Sequence, residues 1–155
     1  MAWQLQTNLK GPSALKLGRL HTPLSTSSAS SWSTVFSLAI APQQCLSFQA
    51  WLYFSATAPS TGLVTTLAGP ARPAAVIHNL LTGESLTSVR NLTATAYDTP
   101  LRGTGSAGDS LLLAQVSGTV ENGNNGGNLL LRFRSEVAGN AVTLARGSWW
   151  QVLLH

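Results

Sequence analysis

Three histidines are the side chains best able to act as a general acid or base near neutral pH. His21 lies in a segment rich in turn residues, and His155 is the last residue of the sequence. His78 lies between Ile77 and Asn79 in a run with strand character, where a scaffold could hold its ring rigidly. The sequence offers no nucleophile elbow beside it, so we expect His78 to be structural or to lie at an interface.

Carboxylates and metal-binding side chains are few and scattered along the chain. They form no recognisable glycosidase pair, and no EF-hand or His-Glu-x-x-His pattern is present. The single Cys45 excludes an intramolecular disulfide and a zinc site built from cysteines. We therefore expect no catalytic residue, no metal site and no cofactor. The carboxylates, mostly at expected strand ends or in loops, are Glu84, Asp98, Asp109, Glu121 and Glu136.

Charged residues make up only 9% of the chain, against about 25% in typical soluble domains. Two explanations stay open: a β-rich surface of neutral hydroxyl groups, or a surface covered by other subunits. The nine Lys and Arg form no block, so we expect no nucleic-acid partner. Arg132 and Arg134 lie at strand spacing on one face, where they are suited to a solvated surface, a subunit-bridging surface or an anionic ligand.

Apolar residues form no continuous run of about 18, the length that spans a membrane. Residues 1–20 also lack a core like that of a signal peptide. We therefore expect no membrane insertion, and synthesis and folding in a cytoplasm.

The first 31 residues differ in pattern from the rest of the chain. Gly11-Pro12, Thr22-Pro23 and the serine-rich run 25–31 interrupt any sustained periodicity, which indicates an extended N-terminal arm. Its tryptophan and leucines are too apolar for a solvated tail. Their docking surface is either a neighbouring subunit or larger assembly, or the chain's own domain.

From Trp32 to His155 the pattern is that of short strands separated by Gly, Pro, Asn and Ser. Because this spacing is typical of an antiparallel β-sandwich, we predict one all-β domain over residues 32–155 after an arm over residues 1–31. The expected strands are 32–40, 46–54, 63–68, 74–80, 85–97, 111–121, 128–136, 141–145 and 148–154.

Two strands give predictions about individual faces. Trp51 and Tyr53 lie at the centre of the outward face of strand 46–54, which suggests that this face is also covered. In strand 128–136, alternation places Leu129, Leu131 and Phe133 in the core and the two arginines outside. The glycines and asparagines of loop 122–127 can supply positive φ at several positions, and we expect the loop to join adjacent antiparallel strands.

The order of motifs from Trp32 to Leu154 resembles that of structural proteins of tailed bacteriophages. The matching motifs are the aromatic strand Cys45 to Ser55, Thr61-Gly62, Gly69-Pro70, Ala96-Tyr97-Asp98, Val116 to Val120, Asn128 to Arg134, Ser135 to Val137, Ala141 to Leu144 and Gly147-Ser148. This resemblance implies a jelly-roll-like domain without enzymatic activity that forms a homotrimer and binds a virus particle through its N-terminal segment.

The resemblance leaves two positions on the virion open. The first is a capsid decoration, or cement, protein bound to the major capsid protein. The alternative, suggested by the Gly-Pro connector within residues 8–12, is a tail, baseplate or fibre module that binds tail proteins or a host receptor. Either is a component of the virion surface made in the host cytoplasm. The residues expected to anchor the particle are Trp3, Leu5, Leu9 and Leu15, and those expected at subunit interfaces are Trp51, Tyr53, Arg132, Arg134, Trp149 and Trp150.

Overall fold

A computed structural model describes residues 14–84, 87–105 and 110–155. The described residues form strands and no helix, which confirms the all-β prediction. In this part of the chain, no helix is long and apolar enough to cross a membrane. The strands are β1 (Ala14–Arg19), β2 (Leu24–Thr26), β3 (Ser33–Ile40), β4 (Cys45–Ala56), β5 (Leu63–Ala68), β6 (Ala75–Gly83), β7 (Val89–Ala94), β8 (Leu101–Arg102), β9 (Leu112–Glu121), β10 (Gly127–Ser135), β11 (Val142–Leu144) and β12 (Trp149–Leu154).

Strands β3 to β6 pair antiparallel, in reverse order, with strands β10 to β7. Thus β3 lies beside β10, β4 beside β9, β5 beside β8 and β6 beside β7. These pairs alternate between two sheets, because β3-β10-β5-β8 forms one and β4-β9-β6-β7 belongs to the other. A two-stranded ribbon rolled up in this way is the eight-stranded jelly roll.

The remaining strands enlarge the second sheet to eight strands. β12 and β1 follow β4 at one edge, in the order β1-β12-β4-β9-β6-β7. β11 pairs with residues 54–56 at the end of β4, and β2 pairs with β11. The core lies between this large sheet and the small sheet β3-β10-β5-β8. Successive side chains of a strand point to opposite faces of the sheet, so every second residue of β4 points into this core. These even residues are buried and apolar, namely Leu46, Phe48, Ala50, Leu52, Phe54 and Ala56.

The described half of the predicted arm takes part in the large sheet. β1 pairs with β12 over its whole length, and β2 pairs with β11. Leu20 and Leu24 pack against the core, whereas Leu15 and Leu17 remain exposed. The sandwich of the same chain is thus the surface that residues 14–26 contact. The division of the chain at residue 31 and the attachment role of the arm stay predictions.

The prediction that loop 122–127 joins adjacent antiparallel strands is wrong. The loop connects β9 to β10, which lie in different sheets, and its described residues have no positive φ. Its shape depends instead on the Asn122 amide, which donates to the Ala41 carbonyl at 2.7 Å and to the Asn125 carbonyl at 2.8 Å. Gly123 lies so close to the Arg72 carbonyl that a Cβ would approach it to 2.0 Å.

Candidate interaction surface

The side of the large sheet that faces away from the core is nearly free of charge. We call the outward-pointing side chains of β1, β12, β4, β9, β6 and β7 the outer face. In these fully described strands, its charged residues are Arg19, at the β1 edge, and Glu121, at the end of β9. A solvated sheet face usually carries alternating polar and charged residues, so this composition is closer to that of a protein interface.

Two stacked indoles lie at the centre of the outer face. Trp149 and Trp51 are cross-strand partners, and their ring centroids are 4.2 Å apart with an interplanar angle of 9°. Register places them in one row across the sheet, which we call the Trp51 row: Arg19, Trp149, Trp51, Gln115 and Leu81. Tyr53 and its partner Leu113 lie one step further along the strands. Rigid aromatic side chains of this kind are enriched in interface cores.

A second row crosses the same face nearer the beginning of β1. This Leu15 row has apolar ends and a polar middle, in the order Leu15, Leu153, Ser47, Thr119 and Ile77. Leu15 is 58% exposed and Ile77 is 51% exposed. A shallow groove of about 440 Å³ follows this row from Leu15 to Thr119 and includes the adjacent Gln49 and Gln151, but Ile77 does not line it. Leu15 and Leu153 line its end at the β1 edge.

Trp150 points to the opposite side of the sheet from Trp149. Its side chain is 4% exposed and stacks on Phe36 in the core, with ring centroids 5.1 Å apart. The prediction that Trp150 faces another subunit is therefore corrected, because successive residues of a strand alternate between faces. Of the two tryptophans, Trp149 alone belongs to the outer face.

Arg132 and Arg134 lie on the outward side of the small sheet, as the alternation predicts, while Leu129, Leu131 and Phe133 are fully buried. Both arginines contact the chain itself. The Arg134 guanidinium lies 4.5 Å from the Trp32 ring centroid and donates to the Ala29 carbonyl. Arg132 forms an ion pair with Asp98. Both side chains thus have partners within the chain, although of the two only Arg132 is paired with a carboxylate. A subunit-bridging role for the two arginines stays a prediction.

The remaining residues that could bind a metal ion or act in catalysis do not form a site. Among the residues described, no group of three or more His, Cys, Asp or Glu is placed to hold a metal ion. Ser47 Oγ lies 3.1 Å from His155 Nε2, a contact that the sequence did not predict. Because Ser47 lies within a strand paired on both sides, its backbone N–H group belongs to the sheet ladder and is not part of an oxyanion hole.

His78 is the buried histidine of the described chain. Its side chain is fully buried on β6, and Nε2–H donates to the Ala96 carbonyl at 3.2 Å. Nδ1 is buried without a hydrogen-bond partner. Burial lowers the pKa of His78, and the hydrogen bond to Ala96 opposes that shift more weakly. The lowered pKa favours the neutral ring at pH 7 and above, and the ring packs inside the sandwich, as predicted for a structural histidine.

This burial predicts a stability that depends on pH. The unfolded chain protonates His78 near the ordinary histidine pKa of 6.5, whereas the folded chain resists protonation. The unfolded state then binds more protons, so the free energy of unfolding should fall as the pH is lowered from about 7.5 to about 5.5. Urea titrations at several pH values would measure this slope. We expect His78→Gln to flatten it; a wild-type protein with no slope in this range would contradict the assignment.

The predicted anchor residues fall partly within the structure. Leu15 lies on the outer face, at the β1 edge of the groove. Trp3, Leu5 and Leu9 lie outside the described residues.

No protein-family model matches the chain, and no curated protein matches it. Among solved structures, the chain is similar to infectious bursal disease virus of the Gx strain, with 14% identity and a TM-score of 0.31 over 100% of this chain and 40% of that chain. It is also similar to the VP2 subviral particle of that virus, with 12% identity and a TM-score of 0.28 over 99% of this chain and 44% of that chain. The chain therefore spans less than half the length of these proteins.

Proposed function

We propose that the protein is a structural component of a virion that acts through protein contacts and performs no catalysis. More specifically, it is a homotrimeric capsid decoration protein of a tailed bacteriophage, attached to the major capsid protein by its N-terminal segment. The observation that carries the proposal is the outer face, which is nearly free of charge and has stacked indoles at its centre. The motif order described above supports the assignment to a virion.

The size of the outer face suits an interface between copies of the chain. Six strands about 4.8 Å apart, with a rise of about 3.4 Å per residue, give a face of about 25 Å by 30 Å. The resulting area of about 750 Å² compares well with the roughly 800 Å² that each partner buries in a standard interface. The outer face as a whole, with the Trp51 row at its centre, is the proposed contact between subunits.

The small sheet is a poorer candidate for this contact. Trp32 covers part of its outward side with the two arginines, and the segment after β7 covers another part. Thr66 Oγ1 donates to the Thr99 carbonyl at 3.0 Å, and Asp98 N donates to the Leu67 carbonyl at 2.8 Å. Because these side chains already have partners in the chain, a second subunit would gain little apolar area there.

A tail, baseplate or fibre module is the second candidate. The connection between β9 and β10 favours it, because residues 124–128 are exposed at one end of the sandwich. Loops held on a rigid sandwich are common contact sites for receptors. In this case the same trimer would be bound to the tail, and the connection between β9 and β10 would contact the host surface.

Localisation on the intact particle tests the proposal most directly. Cryo-electron microscopy of the virion, with the sandwich fitted into head and tail density, should place three copies around local threefold positions of the capsid. Density on the tail would support the second candidate instead. A virion without density for this chain would overturn both.

We expect the double substitution of Trp3 and Leu5 by serine to lower particle occupancy at least tenfold, because two apolar anchors lose most of the area that they bury. Cosedimentation with particles lacking this protein measures the effect. The matched control replaces Val137, an exposed apolar residue in the turn after β10, by serine. Equal binding of the two variants and the wild type would contradict an anchoring role for residues 3 and 5.

A further inference from the structure

The connection between β9 and β10 contains an asparagine followed by glycine twice, as Asn122-Gly123 and Asn125-Gly126. Such pairs can deamidate, because glycine has no Cβ to hinder the approach of its nitrogen to the side-chain amide. The glycine nitrogen attacks the asparagine Cγ and closes a five-membered succinimide ring. The side-chain NH2 group leaves as ammonia with the proton of the glycine N–H. Water then opens the ring and gives an aspartyl or isoaspartyl residue.

The side chain of Asn122 is held in a position that opposes this reaction. It is 4% exposed, and its amide donates to the Ala41 and Asn125 carbonyls at 2.7 and 2.8 Å. Its Oδ1 atom is buried too. A Cβ at Gly123 would approach the Arg72 carbonyl to 2.0 Å, so the backbone here is tightly packed. Ring closure would break both hydrogen bonds and move this backbone, away from water.

The second pair lies at the surface, where these restraints are weaker. Asn125 and Gly126 are both exposed. The Asn125 side chain donates one hydrogen bond, to the Ala71 carbonyl at 2.8 Å. A single hydrogen bond in contact with water contributes little net stability and can open. A Cβ at Gly126 would lie 3.3 Å from the nearest backbone atom, the Ile40 carbonyl oxygen, so this backbone is less crowded than that of Gly123.

We propose that Asn125 is a site of spontaneous deamidation in the folded protein and that Asn122 is protected from the same reaction. The product carries a carboxylate at residue 125, which cannot donate to the Ala71 carbonyl. Each event also adds one negative charge to the exposed connection between β9 and β10. This inference goes beyond the proposed function, because it concerns the chemistry of the chain itself. In the second candidate function, the added charge would lie on the surface that contacts the host.

Mass spectrometry of the aged protein tests the proposal. The purified chain is kept in a mildly alkaline buffer, and samples taken over time are digested with trypsin and compared with a sample digested at the start. Cleavage after Arg102 and Arg132 gives one peptide that contains both pairs. Fragment ions that separate residue 123 from residue 124 assign the replacement of NH2 by OH to one asparagine. We expect Asn125 to react at least tenfold faster than Asn122.

The same experiment in urea concentrated enough to unfold the chain is the matched control. Both asparagines are followed by glycine, so we expect their rates to become similar once the fold no longer protects Asn122. Three results would overturn the proposal. These are equal rates in the folded protein, an unmodified Asn125 in the folded protein under conditions in which the unfolded chain reacts there, and a rate difference that persists in urea.

Two variants test the route of the reaction. Gly126→Ala should slow deamidation of Asn125 at least tenfold and leave the rate at Asn122 unchanged, because the added Cβ hinders the attacking nitrogen. Since this Cβ would also lie 3.1 Å from Pro42 Cδ, thermal unfolding must establish that the variant is folded. Asn125→Gln leaves the backbone unchanged and should abolish modification at residue 125, because glutamine would have to close a six-membered ring. A folded Gly126→Ala variant that reacts as fast as the wild type would contradict the succinimide route.

Discussion

Replacing Trp150 by alanine should lower the free energy of unfolding by about 3 to 5 kcal/mol, the usual cost of removing a large aromatic side chain from a core. The Trp150 ring is 4% exposed and stacks on Phe36 between the two sheets. Its loss would leave a cavity that neighbouring strands cannot fill without breaking their pairing. Guanidinium unfolding followed by circular dichroism measures the difference.

Trp149→Ala is the matched control, because it removes the same side chain one residue earlier. Trp149 lies on the outer face and stacks on Trp51, so its removal should cost about 0.5 to 1.5 kcal/mol. Measured at a protein concentration at which the chains are monomeric, so that the proposed subunit contact adds nothing, an equal loss of stability for Trp149→Ala and Trp150→Ala would show that the faces of β12 are assigned wrongly.

Most strands could be predicted from the sequence because their alternation is strong. The expected strands 32–40 and 46–54 correspond to β3 and β4. Alternation also placed Leu129, Leu131 and Phe133 in the core. In these strands one face carries enough apolar residues to identify its own inward side, whatever lies beside it. The expected strand 63–68 coincides with β5, which is buried at every position and was identified by the turn residues at its two ends.

Strands β1, β2 and β8 could not be predicted, because they depend on neighbours distant in the sequence. β1 forms on β12, where Gly18 lies against Trp150: a Cβ at Gly18 would approach the indole Nε1 to 2.4 Å. A glycine between Leu17 and Arg19 appears in the sequence as a strand breaker, yet here it makes room for an aromatic ring. β8 consists of two residues, which is too short for any periodicity.

The candidate surface was predicted only in part for the same reason. The aromatic residues Trp51 and Tyr53 suggested a covered face, and both lie on the outer face. Trp149 and Trp150, however, are adjacent and both aromatic. Alternation of polar and apolar residues therefore could not show which indole points inward. The absence of charge across six strands becomes visible only when the register brings distant segments into one surface.

Introducing a positive charge at Leu113 should weaken association between copies of the chain at least a hundredfold. Leu113 is 42% exposed, pairs with Tyr53 and lies one step from the Trp51 row. In the proposed interface, Leu113→Arg would bury an unpaired guanidinium in every copy, at a cost of several kcal/mol. Sedimentation velocity across a concentration series measures the change from three chains of 16.2 kDa to one.

The matched control is Val137→Arg, because Val137 is similarly exposed, at 39%, but lies in the turn after β10. Both variants gain one positive charge, so a general effect of net charge would weaken association equally in the two. We expect Val137→Arg to associate like the wild type. Two results would show that the outer face is not the contact between subunits: a wild-type protein that stays monomeric at micromolar concentration, or a Leu113→Arg variant that still forms trimers. The charge-poor surface would then have to be covered by a different virion protein, for which the same pair of variants, assayed by particle binding, gives the next test.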